Sequence, residues 1–138
     1  MSKEVRFRII TPERTIYDEN VEMVIARGTE GEIGILFDHT PLVTLIPESV
    51  LKIKRNKVFN PIAVSGGGFL EIIPEQITVL ADAAELPEEI DLKRAEEAKR
   101  RAEERLMQGE EAGVDVKRAM KSLKKAEARI QAVEQQKK

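Results

Sequence analysis

The chain contains no cysteine and a single histidine, His39. Without cysteine there is neither a disulfide framework nor a thiolate metal site. One histidine leaves no second imidazole for a His-based zinc centre, and no serine or histidine partner stands near it in sequence for a catalytic dyad. A small enzyme built on His39 is therefore a remote alternative, and no catalytic or metal-ligating residue is expected. No apolar run approaches the roughly 20 residues that a membrane helix needs, so direct insertion into a membrane is not expected. Met1-Ser2-Lys3-Glu4 leads straight into an alternating strand pattern, which argues against a secretory leader and for a cytoplasm-like compartment. Charge of one sign is missing as well. The net charge of −2 over 138 residues argues against a protein defined by non-specific nucleic-acid binding.

What is present falls into two unlike parts. Residues 1–86 carry 9 Lys+Arg and 13 Asp+Glu, whereas residues 87–138 carry 14 and 12. The first part is expected to be a β domain over 1–86 and the second a helical hairpin over 87–138, an α+β chain in two parts.

Val5, Phe7 and Ile9 alternate with Arg6 and Arg8, the period-two pattern of a half-buried strand. Val21 to Ala26 is apolar on much of both faces, which predicts a deeper strand. Gly28, Gly31 and Gly34 mark a loop or close backbone approach. Arg55-Asn56-Lys57 reads as a hairpin tip, and Asn60-Pro61 as an edge or bulge. The run Ser65-Gly66-Gly67-Gly68 leads into a strand-like segment and lacks a following Lys-Ser/Thr, so a bulge or tight crossing is expected instead of a phosphate loop. Nine or ten short strands at this spacing predict an antiparallel β-sandwich.

Glu85 to Ala95 joins the parts. Asp91 and Arg94 are three residues apart, so on a helix they point at the same small object. Equally, Asp91 can be an N-cap and Arg94 an ordinary surface residue. Beyond the joint, Leu92, Ala95, Ala98, Ala102 and Leu106 form one narrow stripe of mostly small residues. Gly109 and Gly113 interrupt it. Val116, Ala119, Leu123, Ala126, Ile130 and Val133 then recur at alternating spacings of three and four, a heptad seam. The two stripes predict an antiparallel hairpin, weak because alanine buries little area. The second helix is basic, through Lys117, Arg118, Lys121, Lys124, Lys125 and Arg129. That composition fits a solvated face or docking onto an acidic partner.

Four stretches carry a resemblance to a known family: Glu30-Gly31-Glu32-Ile33-Gly34-Ile35-Leu36, His39-Thr40-Pro41-Leu42-Val43, Ser65-Gly66-Gly67-Gly68-Phe69-Leu70-Glu71 and Thr78-Val79-Leu80-Ala81-Asp82-Ala83-Ala84. With the strand-half, helix-half order, the chain resembles the epsilon subunit of bacterial F-type ATP synthase over essentially its whole length. Three glycines precede the aromatic residue where the family often has two. The resemblance implies a non-catalytic rotor subunit on the cytoplasmic face of the bacterial plasma membrane. It implies contacts with the gamma subunit and the c-subunit ring, with Glu32 and His39 at those contacts. It further implies that the hairpin, when extended toward the alpha and beta subunits, inhibits ATP hydrolysis.

Ile90-Asp91-Leu92-Lys93-Arg94-Ala95 is similar to the family's Ile/Leu-Asp-x-x-Arg-Ala motif, which binds ATP in some members. The regulatory ligand implied is ATP, alone or with magnesium. Glu85, Ile90, Asp91 and Ala95 would then read the base and sugar, and Arg94, Arg101 and Arg129 the phosphates. Lys125 stands where some ATP-binding members have a further arginine; it keeps the charge and loses the fork. The rival from another class is a free-standing adaptor, a β-sandwich that dimerises through its heptad seam.

Overall fold

The computed structural model describes residues 3–136. Eight strands, β1 (Val5–Ile10), β2 (Thr15–Val21), β3 (Met23–Gly28), β4 (Gly31–Ile35), β5 (Leu42–Ile46), β6 (Ser49–Arg55), β7 (Val58–Ile73) and β8 (Gln76–Glu85), precede a short 3₁₀ turn at Pro87–Glu89. The helices α1 (Leu92–Gln108) and α2 (Val116–Gln136) follow. The strands connect in the order β2-β1-β8-β7-β6-β3-β4, with β5 also on β7.

β7 belongs to both layers of the sandwich. Residues 58–64 of β7 pair with β6, while Gly68 to Ile72 pair with β5 and β8. Even-numbered side chains such as Ile62, Val64, Leu70 and Ile72 enter the core, where they meet Phe7, Ile9, Val24, Ile35, Leu51, Ile53, Ile77 and Val79. The chain changes layer again at Glu22, between β2 on β1 and β3 on β6. At this corner the buried residues are Val21, Val24 and Ala26, with Met23 and Ile25 half-buried, so the segment is apolar on both faces as expected.

The sandwich stands, with two departures in detail. β1 and β8 run parallel, Arg6 opposite Gln76 through Ile10 opposite Leu80, while the other ladders are antiparallel. No hairpin links these two strands, so no turn dictates their direction, and the sequence carries no signal for it. Among the described residues there are eight strands and not nine or ten, because the glycine run continues β7 where it seemed to divide two strands. A Cβ on Gly66 would stand 2.9 Å from the Ala83 nitrogen, and one on Gly67 would stand 2.8 Å from the Ile46 carbonyl oxygen. One on Gly68 would collide with the Leu80 carbonyl. All three glycines therefore serve the tight crossing, and the register slips between Ala63 and Gly66 where it occurs.

The turns follow local chemistry. Asn56 and Lys57, at φ 49° and 67°, form the two-residue connection between β6 and β7. The left-handed region at both positions suits a hairpin whose turn follows the strand twist. Gly28 and Gly31 face each other across a second tight hairpin, so the glycine-rich stretch is a turn between paired strands and not an open loop. Pro61 lies on β7 before the β8 ladder begins, so its missing N–H interrupts no bond on that side.

The helices form the expected antiparallel hairpin. Asp91 caps α1 by accepting the Arg94 N–H at 3.1 Å, and Asp115 caps α2 by accepting that of Arg118 at 3.1 Å. Gly109 ends α1 at φ 75°. Ala95 and Ala102 of α1 are buried, as are Ala119, Ala126 and Val133 of the α2 seam. α2 is the inner helix, packed on β7 and β6, and α1 rests on α2. A second small-residue face, Ala128 and Ala132, is also fully buried. Ala63 and Ser65 of β7, outside the sandwich core cluster, are buried as well, and α2 packs on that strand.

Candidate functional site

The end of β8, the 3₁₀ turn, the start of α1 and the middle of α2 enclose a pocket of about 390 Å³. Seven of the eight residues expected to meet a nucleotide line it: Glu85, Ile90, Asp91, Arg94, Ala95, Arg101 and Arg129. The eighth, Lys125, stands one helical turn before Arg129 and does not line the cavity. The sequence brings the group together by simple means. The Asp91 cap starts α1 so that Arg94, Ala98 and Arg101 recur at three- and four-residue spacing along one face. The antiparallel return of α2 then sets Arg129 opposite them.

Arg129 is held by Glu85 through a fork. Its Nε donates to Oε2 at 2.9 Å and to Oε1 at 3.1 Å, and its Nη2 donates to Oε1 at 2.8 Å. The two side chains are 32% and 25% exposed, so the pair is partly shielded from solvent. It ties the last residue of β8 to α2, 44 positions away. Arg94 and Arg101 form no ion pair among the described residues.

Glu89 is a lining residue that the sequence reading missed. Its Oε1 accepts the Leu86 N–H at 3.2 Å, and its Oε2 accepts Nη2 of Arg14 at 2.6 Å. The Arg14 guanidinium, then the Leu86 amide, hold this carboxyl below the ordinary glutamate range. The acidic first turn of a helix gave no reason to single out Glu89, and Arg14 lies 75 residues away.

The pocket combines three guanidinium groups with apolar lining from Ile90, Ala95 and Ala98. That set suits an anion carrying an aromatic or aliphatic body, because arginine meets phosphate oxygens through two parallel N–H bonds. A larger cavity of about 650 Å³ lies by Gly67, Gly68 and Lys121. It brings together one arginine and one lysine with two carboxylates, and lacks the convergent forks of the first.

Glu32 and His39 are not brought together. Glu32 lies near the start of β4, opposite Arg27, and lines a polar groove with Lys124 and Glu127 of α2. His39 lies past the other end of β4, half-buried, its Nδ1 2.8 Å from the Thr40 carbonyl oxygen. On the sheet face away from the core, Leu45, Phe69 and Leu80 stand in register across β5, β7 and β8, each about half exposed. Among the described residues no group of three or more acidic or histidine side chains could hold a metal ion. Among the described residues no helix is long and apolar enough to cross a membrane.

A β-sandwich that carries a docked helical hairpin, with an arginine-lined pocket at their joint, defines a two-part α+β chain. Comparison with known proteins gives its family. Residues 4–87 match the ATP synthase delta/epsilon chain β-sandwich domain, and residues 88–134 match the long α-helix domain of the same chain. The ATP synthase epsilon chain of Alkalihalophilus pseudofirmus is 47% identical over 102 residues, covering 74% of this chain and 76% of that one. The epsilon chain of Natranaerobius thermophilus is 46% identical over 111 residues, covering 80% and 79%. A chain of the Euglena gracilis mitochondrial ATP synthase has the same fold, with a TM-score of 0.77 at 20% identity over 91% of this chain and 78% of that one. The chain belongs to the epsilon-subunit family of F-type ATP synthase, a non-catalytic subunit type of the central stalk.

Proposed function

We propose that this subunit couples the gamma subunit to the c-subunit ring and restrains ATP hydrolysis through its helical hairpin, whose docked state is stabilised by ATP. One observation carries the reading. The arginine pocket draws its walls from β8, α1 and α2 at once, so it exists as a pocket only while the hairpin lies on the sandwich. A ligand that fills it binds the docked state and not the extended one. It therefore stabilises docking by RT ln(1+[L]/Kd), about 2.7 kcal/mol at a hundredfold excess over Kd.

In this reading Glu85, Ile90, Asp91 and Ala95 hold the base and sugar of ATP, and Arg94, Arg101 and Arg129 hold the phosphates. Lys125 adds positive charge one turn away. When ATP leaves, the hairpin, whose seams are largely alanine, lifts and extends toward the alpha and beta subunits, where basic α2 meets an acidic segment. Glu32 and His39, at opposite ends of β4, contact the ring and gamma between them. The half-exposed apolar row Leu45, Phe69 and Leu80 offers further contact area. The complex sits on the cytoplasmic face of the bacterial plasma membrane, and this subunit binds no nucleic acid.

The adaptor alternative is weakened by the buried seam: Ala95 and Ala102 meet the α2 stripe within one chain, which occupies the surface a coiled-coil dimer would use. The test is ATP hydrolysis by the synthase complex rebuilt with the chain truncated after Glu85. Faster hydrolysis than with the full chain is expected. Unchanged hydrolysis, with the truncated chain present in the complex, would remove the hairpin from the mechanism.

A further inference from the structure

The two residues assigned to opposite ends of the nucleotide are bonded to each other. Arg129 gives its fork to the Glu85 carboxylate through three contacts of 2.8 to 3.1 Å. Such bidentate charged pairs are among the strongest hydrogen-bonding arrangements. The other acids of the pocket are tied to the scaffold: Asp91 accepts an α1 amide through Oδ1, and Glu89 is shared between Leu86 and Arg14. Arg94 and Arg101 have no carboxylate partner among the described residues. The pocket thus offers two unpaired guanidinium groups and a third whose Nε–Nη2 fork is available only in exchange for Glu85.

We infer that Glu85 is a specificity-determining residue that sets how strongly the site prefers a nucleoside triphosphate over a diphosphate. This rests on the reading of the pocket as a nucleotide site. Two anionic groups can be met by Arg94 and Arg101 while Arg129 stays on Glu85. A third anionic group that takes the Nε–Nη2 fork of Arg129 displaces the carboxylate from it. The triphosphate therefore gains less than a third arginine would otherwise give it. The displaced carboxylate swings toward the base and sugar, so the same exchange links phosphate count to base contact. With a diphosphate bound, the Glu85–Arg129 pair stays formed between β8 and α2.

The experiment is calorimetric titration of the full chain, of Glu85→Gln and of Arg129→Lys, each with ATP and with ADP, and the readout is the ratio of the two affinities. Glutamine keeps the shape and one acceptor oxygen but loses the charge that holds Arg129. The ATP-over-ADP ratio in Glu85→Gln is expected to rise about tenfold, the scale of a hydrogen bond to a charged group. It should rise even if both affinities fall through lost base contact. In Arg129→Lys, which keeps the charge without the fork, ATP affinity is expected to drop toward that of ADP while ADP affinity holds. An unchanged ratio in Glu85→Gln, with ATP binding to the parent chain, would overturn the role of Glu85 alone. Binding of neither nucleotide to any of the three chains would overturn the nucleotide site and this inference with it.

Discussion

Arg14, in the turn between β1 and β2, donates its Nη2 to Glu89 Oε2 at 2.6 Å and so fastens the sandwich to the 3₁₀ turn that starts the hairpin. Both side chains are well exposed, 53% and 36%, so the pair itself contributes little stability. Its importance is positional. Glu89 also holds the Leu86 amide, and this turn delivers Ile90 and Asp91 to the pocket.

The pair makes the joint sensitive to acid. The Glu89 carboxyl is held below its ordinary value by Arg14 first and by the Leu86 amide second. A carboxyl depressed on folding adds stability that is complete above the ordinary glutamate pKa of about 4.3 and is lost as pH falls through the depressed value. Arg14→Ala should raise the Glu89 pKa toward its ordinary value, as read by carboxyl NMR titration. It should also weaken ATP binding severalfold while leaving the sandwich folded. An unmoved Glu89 titration in that variant would show that the pair does not form in solution.

Gly68→Ala tests the crossing of β7 and β8. The added Cβ meets the Leu80 carbonyl, and it comes within 2.8 Å of the Ala81 Cα, so backbone and not a flexible side chain must move. The cost should be about 2–3 kcal/mol, within the range for overpacked sites. Thermal unfolding should show a melting temperature lower by roughly 10 °C. A melting temperature within about 2 °C of the parent would mean that the strands separate there at little cost.

Much of this was legible in the sequence because it rests on local rules. Alternation placed Val5, Phe7 and Ile9 in a strand, Asn56-Lys57 marked a hairpin, and Asp91 carried the oxygen that a helix start needs. The two apolar stripes gave the hairpin. The parts that were not legible depend on which distant segments meet. Nothing near Val5 tells β1 to run parallel to β8. Nothing in Ser65-Gly66-Gly67-Gly68 says that the missing Cβ atoms make room for Leu80, Ala83 and Ile46. Ala128 and Ala132 lie off the heptad seam, and their use appears only once α2 is seen to have the sheet on one side and α1 on another. The site divides in the same way. The spacing of Asp91 and Arg94 left a cap and a ligand group as alternatives, and Asp91 both caps α1 and lines the pocket. Arg14 and Glu89 meet only through the fold.

The most direct test of the account is isothermal titration of the full chain with ATP, beside a chain carrying Asp91→Ala and Arg94→Ala. The account predicts saturable one-to-one binding by the parent, loss of that binding in the double variant, and a thermal stabilisation of the parent alone. Absence of binding to the parent at millimolar ATP would contradict it. The Glu85–Ala95 joint would then be a capped hinge, with the arginines of the pocket left without a nucleotide to hold.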